Sequence, residues 1–236
     1  MPSHSNDAAS RRRLSMLYAG IRAESPILLG VFPFGLIYGA LAREAGLTPL
    51  PAQMMSSIVF AGSSQFVAAK LIKDAAPGLV IVATIAVVNL RHVLYSASVA
   101  EYIRDLPLKW KIILAYLLTD EAYAATIVHY ETEGAGPESH WFFLGAGFAL
   151  WFTWQASSAL GIFAGAAIPA SWRLDFALPL TFIAMVTPVL TDAPVVAAAL
   201  SAGGTALLAY GLPYKLGLIL AAFVGILVGT LLERRR

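Results

Sequence analysis

The stretch SHWFFLGAGFALWFTWQASSALGIFAGAAIPASW, residues 139–172, carries no Asp, Glu, Lys or Arg. A helix needs only about 20 apolar residues to cross roughly 30 Å of hydrocarbon, and this run exceeds that. It does not stand alone. Further charge-free windows run over Ser25–Ala42, Ala45–Ala69, Ala75–Leu90, Ala193–Tyr214 and Leu216–Leu232. The whole chain of 236 residues is 58% hydrophobic and 13% charged, with a mean hydropathy of +0.73. Soluble domains carry roughly 25% charged residues, and half that complement cannot cover a water-exposed surface. The sequence therefore predicts an all-α fold, a polytopic membrane helix bundle lying in the lipid bilayer. A transmembrane β-barrel would show alternating segments of about ten residues, which this sequence lacks.

Composition narrows the function classes further. The net charge of +2 comes largely from Arg11-Arg12-Arg13 and Arg234-Arg235-Arg236, so it implies no nucleic-acid partner. With no cysteine, disulfides, thiolate metal sites, iron–sulfur clusters and thiol catalysis all fall away. His4, His129 and His140 show no metal-ligand spacing, and no cofactor or metal is expected. The run from Ser10 to Leu17 looks like a twin-arginine signal, but Arg22 and Glu24 interrupt the apolar region that should follow. The arginines are read instead as holding a cytoplasmic tail inside.

The expected organisation is a tail over 1–25, one membrane domain over 26–232 and a basic end over 233–236. Eight hydrophobic segments can be drawn: Pro26–Ala42, Ala52–Ala69, Gly78–Val99, Leu108–His129, Trp141–Ile168, Phe176–Leu190, Ala193–Gly211 and Tyr214–Leu232. Eight full crossings would place Arg104, Lys109 and Lys111 outside, against the positive-inside rule. If the second and seventh segments dip in and return, those residues lie inside. The second segment suits re-entry, because Ser56, Ser57, Ser63, Ser64 and Gln65 are many polar groups for a lipid-facing helix. The crossing number stays open between about six and eight. A faint repeat pairs Phe32-Pro33-Phe34-Gly35 and Phe60-Ala61-Gly62-Ser63-Ser64 with Leu178-Pro179-Leu180 and Ser201-Ala202-Gly203-Gly204-Thr205. It marks Pro33, Gly35 and Pro179 as expected helix breaks.

The chemistry concentrates in two places. In Asn89-Leu90-Arg91-His92-Val93-Leu94-Tyr95-Ser96, helical spacing puts Asn89, His92 and Ser96 on one face and Arg91 and Tyr95 on the next. Arg91 falls about 14 residues, or roughly 21 Å, into its segment. An arginine at that depth costs about 2.5–3.5 kcal/mol on insertion scales and needs a partner. Thr119-Asp120-Glu121, expected near the middle of the fourth segment, supplies one. A carboxylate could pair with Arg91 or His92 while its neighbour holds a proton. The same residues also fit a static ion pair that fixes helix register. Ser63, Ser64 and Gln65 offer groups for a zwitterion, or simply small residues for close packing. The five tryptophans are expected to be mostly interfacial anchors.

Phe32-Pro33-Phe34-Gly35, Phe60 to Phe66, Asn89 to Tyr95 and Leu117-Leu118-Thr119-Asp120-Glu121 together resemble the AzlC family of branched-chain amino acid permeases, from about Pro26 to Glu233. The resemblance implies the large subunit of a two-component exporter in a bacterial inner membrane. It also implies a small AzlD-type membrane subunit as partner and branched-chain amino acids, in some members methionine, as substrates. Transport driven by the proton motive force is the leading expectation. An intramembrane enzyme using Asp120, Glu121 and His92, or a channel-like pore, are the alternatives. The first of these lacks a His-Glu-x-x-His motif, a nucleophile elbow or a cofactor fingerprint.

Overall fold

A computed structural model describes residues 3–164, 190, 192–212 and 216–234, with side chains from residue 9 onward. The sixth segment except its last residue, with Pro179 and Trp172, lies outside the described residues. Nine helices are described: α1 (Ser3–Glu44), α2 (Pro49–Val59), α3 (Gly62–Lys73), α4 (Gly78–Ile103), α5 (Leu108–Tyr116), α6 (Asp120–Glu133), α7 (His140–Ala164), α8 (Ala193–Leu208) and α9 (Leu216–Glu233). No strand occurs among the described residues. The segments 9–44, 78–103 and 216–233 are long and apolar enough to cross a membrane. On α4, Leu79, Val82, Leu90, Val93 and Leu94 are exposed, the pattern of a helix facing lipid rather than water.

The chain divides into two compact units, residues 1–74 with 88–168, and residues 75–87 with 169–236. In the first, α1 and α7 form the spine. They run parallel, since Gly20 faces Phe142 and Ala146, Gly35 faces Ser157, and Gly39 faces Ser158, Gly161 and Ile162. Small residues are required there, because hydrocarbon gives no hydrophobic push and helices associate through close backbone contact. A Cβ on Gly39 would lie 2.5 Å from Ile162 N and Ser158 O.

Two expectations are corrected in α1. Pro33 and Gly35 break nothing; the helix is continuous, with both Pro26 and Pro33 inside it. The carbonyl that Pro26 leaves without its usual donor, that of Arg22, accepts from Ser25 Oγ at 2.8 Å. Gly35 serves packing instead. No helix end falls at residue 25 either.

The actual breaks lie elsewhere. Between α2 and α3 the chain turns at Phe60 (φ 29°, ψ 50°) and Ala61 (φ −146°, ψ 99°). Lys73, at the end of α3, pairs with Glu44, at the end of α1, at 2.5 Å. Near the start of α2, Tyr38 OH donates to Ala52 O at 2.7 Å. Both ends of α2–α3 therefore lie beside the C-terminal end of α1, and the second segment is a helical hairpin. Its arms of 11 and 12 residues reach about 16 and 18 Å, roughly half the hydrocarbon thickness.

The fourth segment is also a hairpin, contrary to the single helix expected. It breaks at Leu117–Thr119. Trp110, near the start of α5, packs on His140 and Trp141 with ring centroids 4.7 and 5.0 Å apart. Near the end of α6, His129 stacks on Phe142 at 3.9 Å, and Tyr130 OH donates to Ser139 O at 3.4 Å. Both ends thus lie beside the N-terminal end of α7, which is also the N-terminal side of the parallel α1, where Arg13 pairs with Glu138 at 3.1 Å. The two hairpins enter from opposite faces. Each follows a long helix, so α1–α3 and α4–α6 form an inverted pair; Leu178-Pro179-Leu180 of the expected repeat lies outside the described residues.

In the second unit, α8 and α9 pack antiparallel, Gly217 meeting Ala209 and Gly225 meeting Ala202 and Ala198. Asp192 caps α8, its Oδ1 accepting from Val195 N at 3.1 Å. The helix passes through Ser201–Thr205 uninterrupted.

Single-cysteine labelling in this cysteine-free chain tests the arrangement. Asp105→Cys and Ala135→Cys should react from one face of the membrane and Ala45→Cys from the other. Opposite sidedness for positions 105 and 135 would mean that α5–α6 crosses the membrane.

Candidate functional site

The tips of the two hairpins meet. Tyr116 OH, at the end of α5, donates to Ser57 O on α2 at 2.7 Å and accepts from Trp151 Nε1 on α7 at 2.8 Å. The Phe60 and Tyr116 rings are 5.8 Å apart. Gln155 of α7 ties the first hairpin in place: its Oε1 accepts from Gln53 Nε2 at 2.7 Å and Ser57 Oγ at 2.9 Å. Around the Gly62 tip, Tyr38, Phe66 and Trp154 pack ring against ring.

Arg91 on α4 joins the tips. One terminal nitrogen donates to Asp120 Oδ2 at 2.5 Å, in the first turn of α6, and the other to Ser63 Oγ at 2.6 Å, in the first turn of α3. Beside it, Ser64 Oγ donates to Asn89 Oδ1 at 2.6 Å. The expected meeting of Arg91 with Asp120 is thus present, but Asp120 and Glu121 open a helix instead of lying within one. Thr119 caps that helix, its Oγ1 accepting from Ala122 N at 3.4 Å. Carboxylates in a first turn also sit favourably in the helix dipole.

The opposite tip is left incomplete. The N-cap of α3, Ala61, has no side chain to cap the helix, so the first N–H groups form a donor set beside Arg91. Several buried polar atoms nearby also make no hydrogen bond: Arg91 Nε, Asp120 Oδ1 and both amide atoms of Gln65. Gln65 is fully buried and lies next to Tyr38, though outside hydrogen-bond geometry with it. Such groups are rare in stable interiors, because each lost its water on burial.

Ser63, Ser64, Asn89, Arg91 and Asp120 are therefore brought to one place, with Glu121 adjoining, while the Gln65 side chain lies by Tyr38. His92 is not drawn in. Its Nδ1 faces Asn89 O at 3.2 Å on its own helix, and no carboxylate bonds to it. Tyr116 and Tyr123 are parted by the break, and Tyr123 stacks on Tyr95 at 4.6 Å. Trp151 and Trp154 are site residues rather than interfacial anchors; Trp154 is buried. Sequence reasoning missed Tyr116, Gln155 and Trp154 as site formers. A glutamine inside the charge-free run 139–172 was the available signal.

These features define a multi-helix membrane protein with two discontinuous segments meeting at a half-buried ion pair. The chain belongs to the AzlC family, matching the AzlC protein family over residues 26–168. It is 29% identical to an uncharacterized membrane protein of Archaeoglobus fulgidus, over 92% of this chain and 95% of that one. It is 28% identical to the inner membrane protein YgaZ of Escherichia coli K12, over 70% and 69%. With the branched-chain amino acid transport protein AzlC of Bacillus subtilis 168 the identity is 26%, over 72% and 67%. No solved structure matches the chain.

Proposed function

We propose that the chain is a secondary transporter that exports the branched-chain amino acids valine, leucine and isoleucine, and methionine besides, with the substrate held between the two hairpin tips. One observation carries the reading: an uncapped helix N-terminus and a half-buried arginine lie beside a half-paired carboxylate where the two hairpin tips meet. Broken helices at mid-membrane are where transporters bind substrate and coupling ion. A zwitterion fits this donor and acceptor set. Its carboxylate goes to the α3 N–H groups and Arg91 Nε, and its ammonium to Asp120 Oδ1. The apolar side chain lies against Phe60 and Tyr116.

The name of the Bacillus subtilis relative supports the substrate class. The family resemblance supports a small AzlD-type subunit and the use of the proton motive force. Basic residues support a bacterial cytoplasmic membrane location with the N-terminus inside: Arg11, Arg12, Arg13, Arg104, Lys109 and Lys111 share one face, against Arg43, Lys70 and Lys73 on the other. On this reading the chain has no enzymatic role.

Radiolabelled valine counterflow in proteoliposomes containing this chain and the small membrane protein that co-purifies with it tests the function. Saturable exchange of valine, competed by leucine and not by glutamate, is expected. No exchange above empty liposomes would refute it, and full exchange by this chain alone would remove the need for a partner.

A further inference from the structure

Glu24 is the most unusual ionisable group in the first unit. It sits on α1 between Gly20, which touches Phe142 and Ala146 of α7, and the Gly35 contact further along. Its exposure is 0%, and neither carboxyl oxygen has a hydrogen-bond partner. The stretch of α7 alongside, Phe142–Leu150, contains no ionisable residue. The ionisable neighbour comes from α6, which packs on α1: Glu121, with Asp120 and, from α4, Arg91 beyond it. Arg91 is already committed to Asp120 and Ser63. The described parts of α2 hold no ionisable residue, and the lysines of α3, Lys70 and Lys73, sit at its far end.

Neither oxygen of the buried Glu24 has a donor, and a positive charge held between it and the neighbouring Glu121 relieves the repulsion of the two carboxyls. Nothing in this arrangement fixes the helices; the glycine contacts of α1 and α7 do that. We infer that Glu24 and Glu121 together hold one monovalent cation, a proton or a sodium ion, and that this is the ion coupled to amino-acid movement. The inference rests on the transport reading above. It adds a second site one residue from the Arg91–Asp120 lock. Loading or unloading the cation changes the charge beside Asp120 and so the grip of Arg91 on the two tips. That linkage lets an ion gradient bias which face the substrate site opens to.

The test uses proteoliposomes of wild type and Glu24→Gln, measuring valine counterflow and then valine accumulation under an imposed pH gradient or an imposed sodium gradient. Wild-type counterflow checks the transport reading by itself; its absence would overturn that reading and the ion site with it. Given counterflow, one gradient should raise wild-type accumulation at least tenfold, the pH gradient if the cation is a proton and the sodium gradient if it is the metal ion. Glu24→Gln, folded and still exchanging valine, should lose that accumulation. Accumulation within twofold of wild type in Glu24→Gln overturns the inference while leaving the transport reading intact, as does indifference of the wild type to both gradients. Should Glu24→Gln not be recovered folded, Glu121→Gln carries the same expectation and the same contrary result.

Discussion

Gly39→Leu and Gly161→Leu should yield no monodisperse protein. At Gly39 even a Cβ would lie 2.5 Å from backbone atoms of α7, and at Gly161 it would overlap Leu36 O. Backbone cannot swing aside as a side chain can, so α1 and α7 would have to separate. Overpacking of a tight core typically costs about 1–3 kcal/mol, and a leucine forced between two helix backbones should exceed that. The parallel contact of α1 and α7 also sets where both hairpins dock, so the damage should not stay local. Gly30→Ala is the control, since nothing lies within 4 Å of its Cβ position, and it should behave as wild type. Size-exclusion profiles and thermal unfolding in detergent read the difference. A well-folded Gly39→Leu would show that the two helices do not meet there.

Arg91→Gln should be nearly as damaging, and the damage should be repairable. Asp120 would keep its part-buried carboxylate and lose its cation; breaking a fully buried pair from one side costs about 3–5 kcal/mol, and this half-buried pair should cost less. Removing both charges should restore most of that stability, so Arg91→Gln with Asp120→Asn should fold better than Arg91→Gln alone. Valine exchange should remain at least tenfold below wild type in the double variant, because Arg91 also holds Ser63 and faces the substrate position. Losses of stability that simply add would mean that the two side chains do not meet. Normal exchange in the double variant would reduce the pair to a structural bridge.

Much of this architecture is written in the sequence at the level of charge. The charge-free windows give the membrane class, and an arginine deep in an apolar helix demands the carboxylate it finds. The serines and glutamine of 56–65, with the basic residues at 104–111, point to re-entry of the second segment. The breaks themselves are harder to read. Leu117-Leu118-Thr119 contains neither Pro nor Gly, and only the Thr119 cap ahead of two carboxylates signals a new helix start. Pro33 misleads in the opposite direction, because a helix packed along its length tolerates an interior proline. Glu24 reads as a residue of a polar tail next to Arg22. Only the continuation of α1 along α7 shows it to be buried.

The central claim is that the hairpin tips, entering from opposite faces, meet at the place where substrate passes. Phe60→Cys with Tyr116→Cys tests it most directly, since the native rings are 5.8 Å apart and the chain has no other cysteine. Oxidation or a short bifunctional thiol reagent should link the pair within one chain and stop valine exchange, and reduction should restore it. A failure to link, or linkage that leaves exchange at its starting rate, would contradict the account.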